Sequence, residues 1–156
     1  MNKVVVIQNE INPHFKPVWT TEKPYNILKG GRNSFKSSVI ALLLVYMMIS
    51  YLVTGKKANV VVIRKVASNI RDSVYLKIQW ALSKFGIMDQ FTCTVSPFRV
   101  THKKTGSTFF FYGQDDFQKL KSNDIGNIIS VWYEEAAEFK NAEEFDQSNT
   151  TFMRQK

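Results

Sequence analysis

Between Val39 and Val53 the sequence reads VIALLLVYMMISYLV, fifteen residues that are apolar almost throughout. Such a run belongs either in a bilayer or in a protein interior. As a helix it spans roughly 22 Å at ~1.5 Å per residue, short of the ~30 Å hydrocarbon core of a membrane. A helix apolar on all sides fits the interior of a globular domain, with other layers packed around it. The start of the chain, MNKVVVIQNE, holds an apolar run of four residues. A secretory signal needs ~7–15, so no signal peptide is read there.

The rest of the composition agrees with one packed domain. The chain has 156 residues, 44% hydrophobic and 13% aromatic, which supports a real core and excludes wholesale disorder. One cysteine, Cys93, cannot form an internal disulfide or a Cys-based zinc site, so a reducing compartment is expected. His14 and His102 are too few and too far apart for a His-rich metal centre. The net charge of +8 is uneven. Residues 1–114 hold 16 Lys/Arg and 4 Asp/Glu (+12), and residues 115–156 hold 5 and 9 (−4). A basic body fits a polyanionic partner, either nucleic acid or nucleotide phosphate; the alternative is a solvated basic surface.

Strands and helices alternate along the chain. Residues 1–24, with Pro13, Pro17 and Pro24, read as an irregular lead-in, and Tyr25–Leu28 (YNIL) as a short buried strand. The long helix runs from Lys36 to about Thr54, with Gly55 as its C-cap. Asn59–Ile63 (NVVVI) is a second strand. A further helix is expected from Ser68 or Asn69, with Asn69 and Asp72 as a capping-box variant, and ends at Gly86. Phe91–Val95, Phe98–Thr101 and the aromatic strand Ser107–Tyr112 form an antiparallel hairpin unit near 91–112, turning at Lys103–Gly106. Asn127–Tyr133 (NIISVWY) is another buried strand, and Asn141–Arg154 looks helical. The pattern predicts an α/β fold with a largely parallel sheet.

Two strings carry chemistry. The first, Lys29-Gly-Gly-Arg-Asn-Ser-Phe-Lys-Ser-Ser38, approximates the phosphate-loop pattern G-x-x-x-x-G-K-[ST]. Gly30 fills the first position, Lys36 the lysine and Ser37 the hydroxyl, while Phe35 stands where the second glycine belongs. Gly30, Gly31, Arg32, Asn33, Ser34, Phe35, Lys36, Ser37 and Ser38 are the expected nucleotide-binding residues. Main-chain amides at a helix start point at an anion, and the helix dipole favours it there. Lys36 adds a point charge for the β/γ-phosphates, and the Ser37 hydroxyl is placed to ligate Mg²⁺. If the sixth position needs a positive φ, Phe35 costs roughly 1–3 kcal/mol there; if it does not, Phe35 packs under the loop. The second string, IISVWYEE, is an apolar strand ending in two acids. Glu134 is assigned to the metal, through water, and Glu135 to activation of the attacking water.

Taken together, GGRNSFKSS, VVVIRKVASNIRDSVYLKIQWAL and FFFYGQDDFQKLKSNDIGNIISVWYEEAAEF resemble the large terminase subunit of tailed bacteriophages and prophages over roughly residues 25–140. The resemblance implies a P-loop NTPase of the ASCE type, a three-layer sandwich, that uses ATP and Mg²⁺ to thread double-stranded DNA into a procapsid in the host cytoplasm. It implies a small terminase subunit and a portal protein as partners, a ring of like subunits, and no membrane. It also implies that Arg32 acts as a γ-phosphate sensor or an arginine finger in cis. Residues 1–156 correspond in that reading to the N-terminal part of the ATPase domain. The nuclease domain is absent, and the sheet is incomplete at its C-terminal side.

Several further residues are open to two readings. Arg64 and Lys65, just after a strand, either touch phosphate, DNA or a neighbouring subunit, or cap the strand in solvent. Lys103 and Lys104 either meet a DNA backbone or simply solubilise a turn. Lys119 and Lys121 are functional candidates by resemblance alone. Trp19 and Tyr25 either stack on adenine or pack in the core, the second being the expectation. The rival to a motor is a non-catalytic nucleotide-binding or subunit-contact module with negligible turnover; a nucleic-acid-binding P-loop protein unrelated to packaging is a third reading.

Overall fold

The computed structural model describes residues 7–31, 35–116, 119, 125–138, 142, 143, 146, 149 and 150. At its centre lies β1, Asn59–Arg64, whose β-branched run is buried up to its last residue. Such a strand has to be covered on both faces and paired on both edges. It pairs in parallel with β4 (Thr108–Gly113) on one side and with β5 (Ile128–Glu134) on the other. Beyond β4 lie β3 (Phe98–His102) and β2 (Phe91–Val95), both in antiparallel pairing, so the order is β2-β3-β4-β1-β5. Only β3 opposes the other four strands in direction. The mixed sheet with its hairpin extension is the arrangement expected from the sequence.

Alternation along the strands sorts the core. Val60, Val62, Phe109, Phe111 and Trp132 face one way and meet α1 (Lys36–Leu52) and α2 (Leu76–Lys84). Val61, Ile63 and Tyr112 face the other way, onto Ile125 and Ile128. The apolar run is therefore a core helix: Ala41, Leu42, Leu44, Val45 and Met48 are all buried. Among the described residues both helices lie on one face, so two layers stand where three were expected. Most of the helix expected at 141–154 falls outside the described residues.

Two local expectations are corrected. Tyr25–Leu28 is not a strand: Tyr25 and Ile27 are exposed, and no strand of the sheet pairs with them. An apolar tetrapeptide becomes a strand only where a neighbouring edge accepts it, and the described sheet ends at β5. The second helix also starts differently. A 3-10 turn at Ala67–Asn69 runs into a π-helical turn, Arg71–Tyr75, and only then into α2. The wide turn, closed by Tyr75 N–H to the Ile70 carbonyl, lets Ile70, Val74, Tyr75 and Ile78 all reach the core. No side chain caps it, so Asn69 and Asp72 form no capping box.

The lead-in is tied down by 3-10 turns at Gln8–Glu10 and Pro13–Trp19. Glu10 pairs with Lys84 of α2 at 2.8 Å, and the Trp19 ring packs 5.6 Å from that of Tyr46 on α1. Trp19 is thus a packing residue, whereas Tyr25, expected in the core, is at the surface.

Candidate functional site

The carboxyl ends of β1 and β5 and the start of α1 meet at one end of the sheet. Phe35 stands immediately before α1 with φ 62° and ψ 18°, in the left-handed region. The sixth loop position therefore does need a positive φ, and Phe35, 64% exposed, does not pack beneath the loop. A phenylalanine held there is strained by ~1–3 kcal/mol, a cost seen most often at functional sites. Its carbonyl accepts from Val39 N–H at 3.0 Å, which closes the first helical turn.

Lys36 begins the helix and turns back over the loop, donating to the carbonyl oxygens of Gly30 and, at 3.1 Å, Gly31. Arg32, Asn33 and Ser34 lie outside the described residues. One residue on, the Ser37 hydroxyl donates to the Glu134 carboxylate at 2.5 Å, a contact between residues 97 positions apart. Ser38 is buried and accepts from the Lys77 ammonium at 3.3 Å. Together with Asp72, Ser73, Val74 and Trp132, residues Ser37, Lys77 and Glu134 line a cavity of about 180 Å³.

Glu134 is the last residue of β5 and lies opposite Arg64 in the β1–β5 register. Burial pushes its carboxyl above the ordinary range and the neighbouring Glu135 charge adds to this; the Ser37 hydrogen bond, Arg64 and a hydrogen bond with Trp132 pull it back. Glu135 leaves the strand in a second left-handed turn, φ 55°, and is exposed. Two adjacent strand residues would point to opposite faces, and this turn releases Glu135 from that alternation. The oxygens of Ser37, Glu134 and Glu135 are hard donors of the kind Mg²⁺ prefers. Among the described residues no three His, Cys, Asp or Glu gather into a cage. Magnesium does not need one, because it keeps several waters and takes one or two carboxylates beside substrate phosphates.

The loop after β1 is held from below. Asp115 accepts from Ala67 N–H at 2.9 Å and its own N–H donates to the Lys65 carbonyl at 3.3 Å. A Cβ on Gly113 would stand 2.6 Å from the backbone nitrogen of Ala67, so that position admits only glycine. The GQDD segment therefore positions the stretch that carries Arg64 and Lys65.

A family model described as phage terminase large subunit matches residues 22–156, a span that includes Lys36, Ser37, Glu134 and Glu135. This chain belongs to that family. Among its relatives, the "Terminase, large subunit" of Bacillus phage SPP1 is 34% identical over 148 residues, 91% of this chain and 34% of the relative. The "PBSX phage terminase large subunit" of Bacillus subtilis (strain 168) is 35% identical over 136 residues, 86% of this chain and 30% of the relative. This terminase chain thus spans about a third of the length of the curated relatives it matches.

Of the expected terminase site residues, the structure gathers Lys36, Ser37, Glu134 and Glu135 at one end of the sheet, with Gly30 and Gly31 against Lys36. Arg64 joins them through its register with Glu134, and Lys65 anchors Asp115. Lys119 pairs with Asp116, and Lys121 lies outside the described residues. Sequence reasoning missed Lys77 and Trp132. The signal was a lysine three residues after Val74 and four before Ala81, on the flank of an otherwise apolar helix face. Burial holds the half-buried Cys93 thiol above its ordinary pKa, which disfavours the thiolate.

Proposed function

We propose that this chain is a P-loop NTPase of the ASCE type that binds ATP with Mg²⁺ at the start of α1 and hydrolyses it. In this reading it is the motor part of a packaging terminase that moves double-stranded DNA into procapsids. The observation that carries the reading is the Ser37–Glu134 contact beside Lys36. A hydroxyl at a helix start and a carboxylate at the end of a parallel strand meet directly, although 97 residues separate them. Family membership supports it independently.

The main-chain amides of the first turn of α1 orient and partly neutralise the phosphate tail. Lys36 exchanges its hold on the Gly30 and Gly31 carbonyls for the β/γ-phosphates. Ser37 and Glu134 are the residues that would hold Mg²⁺, Glu134 through water; when bound, the ion neutralises charge on the β- and γ-oxygens. Glu135, exposed and freed from the strand, takes the proton of the water that attacks the γ-phosphorus as the bond to the β-phosphate oxygen breaks. Arg32 offsets the charge that grows on the γ-phosphoryl group, as the family resemblance implies. The remaining parts of the proposal also rest on family membership: a ring of subunits, contacts with a small subunit and a portal, and work in the host cytoplasm. No helix among the described residues is long and apolar enough to cross a membrane.

Calorimetric titration with ATP·Mg²⁺ and a phosphate-release assay with duplex DNA test the assignment. Lys36→Ala is expected to lose at least about tenfold in ATP affinity, ~1.4 kcal/mol. Glu135→Gln is expected to bind ATP as wild type does while turnover falls ~10²–10⁴-fold. Equal ATP affinity in wild type and Lys36→Ala refutes the site. A second reading, a nucleotide-binding module without turnover, is favoured by Lys36 being bonded to its own loop and Glu135 facing solvent. ATP binding without phosphate release, with DNA present, decides for it.

A further inference from the structure

We propose that the opposite pole of the sheet, where β1 and β4 begin, grips the phosphate backbone of duplex DNA through Lys56, Lys57, Lys103 and Lys104. The inference rests on the packaging reading for its choice of duplex DNA, and it assigns that partner a surface.

Two turns meet at this pole. Residues 54–58 lead into β1, and residues 103–107 link β3 to β4. They are joined by Ala58 N–H donating to the Ser107 hydroxyl at 3.0 Å, and Thr105 donates to the same hydroxyl at 2.8 Å. The second turn is closed by Gly106 N–H to the His102 carbonyl at 2.9 Å. The Lys57 side chain reaches the second turn, its Cε 4.0 Å from where a Cβ on Gly106 would stand. Four exposed lysines from two separate stretches of sequence are thus carried on one buried polar frame. Lys103 also donates to the Asp89 carbonyl at 2.8 Å, which fixes its direction. Among the described residues none of the four is in an ion pair.

The chemistry of the two turns selects the partner. They consist of Thr, Gly, Lys, Ala and Ser, with no aromatic ring for a base to stack on and no Arg, Asn or Gln to read a base edge. What remains is point charge offered to phosphate, which suits a duplex that presents a charge about every 1.7 Å and is gripped without regard to sequence. The six residues of β1 place this pole roughly 20 Å from Glu134, at ~3.3 Å per residue. Changes here should therefore leave the nucleotide end untouched.

The test uses the whole chain, a short fluorescein-labelled duplex of arbitrary sequence, and anisotropy across a salt series. Lys57→Ala/Lys104→Ala is expected to weaken binding about tenfold and to flatten the slope of log affinity against log salt by ~1.8, ~0.9 for each phosphate that is no longer neutralised. Lys16→Ala/Lys23→Ala removes the same net charge from the lead-in and should leave affinity within about twofold. Equal weakening in the two variants, none in the first, no duplex binding by wild type, or tighter binding of single strands each overturns the proposal. ATP titration of the same proteins separates the two readings. Lys36→Ala should lose nucleotide yet keep duplex affinity, so failure of the nucleotide site and failure of the grip appear in different measurements.

Discussion

Asn59 and Glu134 lie at opposite ends of the same pair of parallel strands, and their surroundings differ in kind. Asn59 is buried and fully matched: its amide donates to the carbonyls of Ile125 and Gly126 at 2.9 Å each, and its oxygen accepts from Thr108 N–H at 3.0 Å. Ser107, Thr105 and His102 complete that frame. Glu134 borders a cavity and its proton affinity is raised by burial. Phe35 and Glu135 beside it take left-handed turns; Asn127 does so beside Asn59, but asparagine tolerates that conformation far better than phenylalanine or glutamate. Where polar groups are satisfied they hold the fold. Where they border a cavity and the backbone beside them is strained, they are poised for a ligand.

The widest separation between the two ends should appear with Glu135→Gln, whose ~10²–10⁴-fold loss of turnover is expected without any fall in melting temperature. A parallel loss of stability would show that Glu135 belongs to the frame and would erase the contrast. Next in size, Asn59→Ala removes three hydrogen bonds to main-chain groups at the start of the strands and should cost about 3 kcal/mol in denaturant unfolding. ATP affinity measured well below the new transition should stay as in wild type. Phe35→Gly relieves the left-handed strain, partly offset by the greater freedom of glycine in the unfolded chain, for a net gain of about 1 kcal/mol. A loss instead would mean that the ring makes a contact of value at the nucleotide end.

The smallest effect concerns pH at the matched end. Burial, helped by the nearby Lys104 charge, holds the His102 pKa below its ordinary value of 6.5. The folded state thus favours the neutral ring. Its contribution is fully present above about 6.5, and it is lost as the pH falls through the lowered folded value. His102→Gln should flatten that acid limb by no more than about 1 kcal/mol while leaving stability near pH 8 little changed. An unaltered acid limb would move the sensitivity to another group.

Much of this was legible in the chain. The β-branched run of β1, the aromatic run of β4 and the basic turn between β3 and β4 announced themselves by period and punctuation. The approach of Ser37 to Glu134 was expected from the chemistry of the two strings rather than from sequence proximity. What stayed hidden depended on partners. Tyr25–Leu28 has strand composition but no accepting edge. The π-helical turn at Arg71–Tyr75 leads into α2 without a capping signal, and the Lys77 ammonium that follows it donates to Ser38 on α1. Phe35 could be given two conformations from sequence, and the entry geometry of α1 chose between them.

The contact between Ser37 and Glu134 has a consequence for biosynthesis. Translation delivers α1 early, and its carboxylate partner arrives 97 residues later, at the end of β5. On the ribosome the glycine loop therefore waits, without a complete pocket, until the outermost parallel strand has emerged and docked. A nascent polypeptide halted before that strand would carry Lys36 and Ser37 but would have no Glu134 carboxylate for the hydroxyl to meet.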